Sequence, residues 1–235
     1  MSAIDCPPSP SAIARRDLIV VIVGLLAVLA WDACGLDLAA SRLYGTSAGF
    51  ALRDHWLTRG VAHDGGRWLA AFGLVALVVN IFRPLWPGPT RRERVWWFAV
   101  TVAGMCLIPL LKHFSRTSCP WALAEFGGVA HYVSHWHWGV SDGGGGGCFP
   151  AGHPTSAAAF LSGWFVLRRH RPRAAAWWLA GTLLLTLFYG WAQWARGAHY
   201  PSHTLWTAWI CWTLAWATQG LALPRGRSDQ DLTRT

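Results

Sequence analysis

Three short clusters in this chain gather residue types that handle phosphate. They are Lys112-His-Phe-Ser-Arg116-Thr-Ser-Cys119-Pro120, Cys148-Phe-Pro-Ala-Gly152-His153 and Arg196-Gly-Ala-His199-Tyr-Pro-Ser-His203. Lys112 is the only lysine beside nineteen arginines. A neutral imidazole at His199, close to cations, can attack phosphorus and form a phosphohistidine, dividing one hard step into two. His153 follows Gly152 at the start of an apolar run, where the backbone N–H groups of a helix N-terminus bind anions. Imidazole titrates near neutral pH, so His153 can protonate a departing oxygen. Lys112 and Arg116 are four residues apart and share a face if their helix continues that far. With Arg196 they would hold the non-bridging oxygens and neutralise transition-state charge. This scheme calls for no metal and no other cofactor.

The elements that must position these residues are apolar. Of 235 residues 53% are hydrophobic, 13% are charged and eighteen are tryptophan, a composition that suits membrane interfaces rather than a soluble globule. The net charge of +9 invites a nucleic-acid reading. However, the arginines punctuate apolar runs and form no aromatic-interleaved patch, so they read as a topology signal and no nucleic-acid partner is expected. Six apolar stretches, roughly 18–36, 68–86, 95–111, 150–167, 174–195 and 204–223, approach the length that crosses about 30 Å of hydrocarbon. The fourth is the weakest, and a buried helix is its alternative. With the N-terminus inside, thirteen basic residues fall on the inner side and seven on the outer. The positive-inside rule therefore puts both termini in the cytoplasm and all three clusters on the outer face. The first run, after Arg15-Arg16, has no small-x-small cleavage site and reads as an uncleaved span.

The expected organisation is a cytoplasmic tail over 1–17, one transmembrane domain over 18–223 and a second cytoplasmic tail over 224–235. A short interfacial amphipathic helix is expected near Phe50–Arg59. The longest connection, about 112–152, contains the run Gly143–Gly147, expected to be mobile. Cys119 and Cys148 fall outside, where a disulfide would fasten the first cluster to the second; two separate thiols are the alternative.

The clusters resemble the type 2 phosphatidic acid phosphatase (PAP2) superfamily, whose active site is similar to that of vanadium haloperoxidases. Its pattern is K-x6-R-P, then P-S-G-H, then S-R-x5-H-x3-D. The resemblance implies an all-α bundle of six transmembrane helices. It assigns His199 as nucleophile, His153 as general acid, Lys112 as phosphate-binding cation and Gly152 as the backbone donor to phosphate. Four positions depart from the pattern. Cys119 replaces the first arginine, with Arg116 one turn earlier. Ala151 replaces the serine. Gln193 stands for the second arginine, whose cation reappears at Arg196 on the same helix face. His203 replaces the aspartate that would orient the nucleophile, and a neutral imidazole of the right tautomer can accept the same bond. Family members act on undecaprenyl pyrophosphate, phosphatidic acid, phosphatidylglycerophosphate and lipid A phosphates. The implied substrate is thus a lipid phosphate or pyrophosphate, met at the outer face of a bacterial inner membrane.

Other readings stay open from sequence. The departures fit a lipid-phosphate binding or transport protein without catalysis. The His199-x3-His203 spacing suits a metal-dependent hydrolase, although no carboxylate or cysteine in the sequence completes the shell. Lys112 as an interfacial anchor does not explain why every other boundary uses arginine. Asp32 is expected to pair with an outer arginine, and His131, His135 and His137 to be interfacial loop residues. The sequence leaves the oligomeric state unassigned.

Overall fold

Runs of Leu, Val, Ala and Trp form long helices here, one of them continuing through Pro109, and Gly, Pro and polar residues end them. The computed structural model describes residues 10–223. Helix α1 (Pro10–Ala33) stops at Gly35, whose φ of 62° starts the short α2 (Leu36–Ser41). A two-residue hairpin, β1 (Gly45–Thr46) with β2 (Gly49–Phe50), follows. A π-helical segment, Trp56–Gly65, then runs directly into α3 (Gly66–Phe82). Helix α4 (Arg91–Phe114) opens with a capping box in which Thr90 and Glu93 satisfy each other's backbone N–H groups. After a long connection come α5 (Thr155–Ala158), a 3-10 turn (Ala159–Leu161) and α6 (Ser162–His170). Helices α7 (Pro172–Ala195) and α8 (Pro201–Thr218) complete the bundle, each with proline at its start, where a missing N–H costs no bond.

Among the described residues three helical segments are long and apolar enough to cross a membrane: Trp56–Phe82, Arg91–Phe114 and Pro172–Ala195. Their outward faces are apolar, with Leu69, Phe72 and Val75 on α3 and Leu184 and Leu187 on α7 exposed. Polar groups instead turn inward, as where Thr101 meets Ser162 at 3.0 Å. That inversion is expected when lipid surrounds the bundle and interior contacts depend on packing and hydrogen bonds. Small residues permit the close approaches: a Cβ on Gly163 would fall 2.5 Å from the fully buried Trp97.

The α5–α6 unit is the most enclosed part of the bundle, and the fourth apolar stretch is a helix interrupted by a 3-10 turn and packed among its neighbours. The interruption has a local partner, since the Trp178 indole donates to the Phe160 carbonyl at 2.7 Å within the 3-10 turn. Four other differences from the sequence reading are local. Helix α1 already includes residues 10–17, while 1–9 and 224–235 lie outside the described residues. The helix expected near Phe50–Arg59 starts at Trp56 and merges with α3. Helix α4 ends at Phe114, so Arg116 does not share its face with Lys112 and is exposed. The glycine run is tied down, as described below.

Candidate active site

The second and third clusters are zipped together by backbone. Ala151 N donates to His203 O at 3.2 Å, and the Thr207 hydroxyl donates to the Ala151 carbonyl at 2.8 Å. The first cluster joins through covalent and hydrogen bonds: Cys119 and Cys148 form a disulfide with Cα atoms 5.2 Å apart, and Cys148 N donates to Thr117 O at 2.9 Å. The glycine run is fixed by two buried side chains. Asp142 accepts from Ser118 N at 2.5 Å and from Gly144 N at 2.9 Å, while Gly146 N donates to the Ser118 hydroxyl at 3.1 Å. These bonds satisfy the loop's donors, so it is held in one shape rather than mobile.

The third cluster is a tight reversal at the end of α7. Gly197 has a φ of 71°, and a Cβ there would lie 2.4 Å from the Phe50 ring, so both backbone and space require glycine. The turn delivers Ala198 N (2.8 Å) and His199 N (3.3 Å) to the carbonyl of Gln193. His199 is thereby turned into the interior and is 4% exposed. Burial pushes its imidazole down to about 3, the Lys112 and His153 charges push the same way, and a backbone bond at Cys148 opposes them. At neutral pH the group is an uncharged imidazole.

His153 lies in the turn before α5. Its Nε2 bonds the Ala62 carbonyl at 2.9 Å, and its ring stacks on His63 at 4.5 Å. Burial again dominates in lowering it to about 4, with His63, Arg196 and Arg67 adding cationic pressure. Lys112 reaches Gly152: a Cβ on that glycine would sit 3.9 Å from Nζ. Arg196 Nε donates to Arg53 O at 2.7 Å. Among the described residues neither Lys112 nor Arg196 has a carboxylate in ion-pair range. Two cations without an ion-pair partner among the described residues, beside two neutral imidazoles, make a setting suited to an anion.

The sequence-assigned residues do not all serve as expected. Lys112 and His153 act electrostatically on His199, Arg196 acts on His153, and Lys112 lies against Gly152, so these five share one neighbourhood. Arg116 contributes a backbone contact to Gly146 and no side chain to this group. Gln193 supplies its carbonyl to the turn, while its buried amide nitrogen has no partner among the described residues. His203 does not bond His199; its Nδ1 meets the Cys148 carbonyl at 3.0 Å, and the two rings stand 5.8 Å apart. His135 is interior, bonding Asp32 at 3.2 Å and stacking on Phe149 at 4.1 Å, so neither it nor Asp32 behaves as the sequence suggested. Ala62, His63 and Arg67 were missed altogether. They reach the site because the π-helical segment continues α3 upward, a geometry that hydrophobic periodicity does not reveal. The sulfurs near His199 are locked in the disulfide and offer no thiolate to a metal.

Fold and site together define a multi-pass helical membrane protein with two histidines and unpaired cations converging at one end of the bundle. A family model described as the PAP2 superfamily matches residues 93–225, and the chain belongs to that superfamily. The structure is similar to the crystal structure of a transmembrane PAP2 type phosphatidylglycerolphosphate phosphatase from Bacillus subtilis. The TM-score is 0.56 at 17% identity, over 90% of this chain and 98% of the other. At that identity the likeness concerns the fold. No curated protein sequence matches the chain.

Proposed function

We propose that the protein is a metal-independent phosphatase of lipid phosphates or pyrophosphates, built on six transmembrane helices with its site at the outer face of a bacterial inner membrane. Both termini are then cytoplasmic. The observation that carries the reading is the setting of His199, a buried neutral imidazole under the combined charge influence of Lys112 and His153.

In the reaction, a nitrogen of His199 forms a bond to phosphorus as the bond to the lipid oxygen breaks. His153 gives its proton to that oxygen. Water then attacks the phosphohistidine and surrenders a proton to His153, releasing inorganic phosphate and neutral His199. Lys112, Arg196 and the backbone at Gly152 hold the non-bridging oxygens. The cations that lower His153 in the free site become its substrate's counter-ions: a phosphate dianion reverses the local field and favours the protonated acid. His203 positions the Cys148 segment and thereby His199. A cavity of about 550 Å³ at the head of α3 is bordered by Asp64, Arg67, Trp68 and Ala71, and Arg67 also acts electrostatically on His153.

Two assays test this. Purified protein in detergent should release phosphate from short-chain phosphatidic acid or a polyprenyl diphosphate in excess chelator, and His199→Ala should abolish release. Brief incubation with labelled substrate followed by alkaline quench should trap acid-labile label on wild type only. Absence of release from every lipid phosphate tried would leave a binding protein, and release lost in chelator with no phosphohistidine trapped in its absence would mean metal chemistry.

A further inference from the structure

Behind His203, away from the two catalytic histidines, lies a second polar cluster that the phosphatase reading does not use. Ligand atoms of Asp37, His135 and His203 all fall within 4.8 Å of one another. They come from three separate parts of the chain: α2, the long connection before α5, and α8.

Several independent observations describe what this cluster lacks. His203 is fully buried, its Nδ1 is committed to the Cys148 carbonyl, and its Nε2 has no partner among the described residues. Asp37 Oδ1 already accepts from Trp31 and Ser202 N, but Oδ2 accepts only the Ser202 hydroxyl. Neighbouring Asp32 crowds three donors, His135, Trp136 and Trp206, onto Oδ2, while its buried Oδ1 has none among the described residues. The two carboxylates are close enough to repel. No lysine or arginine pairs with either among the described residues. A cavity of about 10 Å³ sits between them, bordered by Asp32, Asp37, Tyr132 and His135. That is the size of one small particle.

Two buried carboxylates whose one close candidate counter-ion is the His135 imidazole are unfavourable, and so is a buried imidazole nitrogen without a partner. A divalent cation answers both deficits, since two negative carboxylates and two neutral imidazoles leave a net charge of zero around it. Mixed nitrogen and oxygen donors favour zinc-type ions over magnesium or calcium, which take oxygen. The Nδ1–H···O=C bond of His203 is also the usual way a ligating histidine is held in the right tautomer.

We infer that Asp37, His135 and His203 bind one divalent transition ion of the zinc type, with Asp32 balancing its charge. The ion fastens α2 and the long connection to the start of α8. It is structural: Cys148 stands between it and His199, and no step of phosphate transfer passes through it. The inference takes the site's position from the phosphatase reading, but its test reads metal and not activity, so either can fail alone.

Tag-free protein is loaded with Zn²⁺ in detergent, passed through a desalting column and measured for metal per chain. The expected result is about one zinc for wild type and under a tenth of that for His135→Gln and Asp37→Asn. Cobalt loading of the wild type should give the visible bands of a four-coordinate Co²⁺ site, a readout that survives if a variant fails to fold. Wild type that retains no zinc and shows no cobalt bands overturns the inference, with a protonated His135 then balancing Asp32. Zinc retained equally by both variants overturns it too, because the ion would then sit elsewhere.

Discussion

Replacing His199 by glutamine should change how the protein responds to acid, and the size of that change follows from burial. In the folded chain the imidazole is pushed down to about 3, whereas an unfolded histidine titrates near 6.5. The folded group therefore resists a proton that the unfolded group takes up. Its contribution to stability is complete above about pH 6.5 and is lost as pH falls toward 3. Between pH 8 and pH 5 the loss is roughly one and a half decades of proton affinity, or about 2 kcal/mol at 1.36 kcal/mol per unit. For a chain of this size 1 kcal/mol moves the thermal midpoint by about 2–4 °C. Wild type should thus lose about 4–8 °C more than His199→Gln when acidified. The assay is a pair of thermal melts in one detergent at each pH, comparing the two acid-induced shifts. His153 and every other group remain in both proteins, so the difference isolates His199. Equal shifts would mean that His199 is not buried as a neutral group, and the nucleophile assignment would lose its physical basis.

Three further outcomes are expected. Lys112→Ala should reduce phosphate release by about 100-fold or more, with Lys112→Arg recovering part of it, in a steady-state release assay. Gly197→Ala should destabilise by about 1–2 kcal/mol for the left-handed backbone alone. Displacement of Phe50 adds to this, and both show in the thermal midpoint. Reducing the Cys119–Cys148 bond should cost about 3–4 kcal/mol for a loop of this length, read as a midpoint drop on adding reductant. The Cys119→Ser/Cys148→Ser double variant should give no such response.

The helical, membrane-spanning character was legible because long apolar runs are a one-dimensional signal. Lys112 and His153 lie near enough to act electrostatically on His199, and their motifs, at the ends of those runs, were the sequence's pointer to that neighbourhood. Polar partnerships across the chain were not. Nothing in the sequence near His135 says that it enters the interior beside Asp32, or that Asp37 takes the N–H of Ser202 at the start of α8. Those pairings depend on how α2 and the long connection fold over the bundle. Arg116 failed for a simpler reason: proximity by helical turn holds only where the helix persists, and α4 ends two residues before it. His203 was assigned to the right neighbourhood but the wrong bond, because sequence spacing cannot distinguish a side chain touching His199 from one touching the carbonyl beside it.

The glycine run also bears on how this protein can be instrumented. Five identical residues look interchangeable, yet their surroundings are not. At Gly144 an added Cβ meets the Ser118 hydroxyl at 2.3 Å, and at Gly146 it meets backbone at 3.0 Å with a φ of 62°. Gly145, between them, is exposed, has open space around the would-be Cβ and no left-handed backbone. A reporter side chain placed there would ride on a loop pinned by Asp142 and Ser118, three residues from the cysteine that abuts His199. Fluorescence or spin-label signals from that position would report the state of the segment that leads to Cys148 and His199.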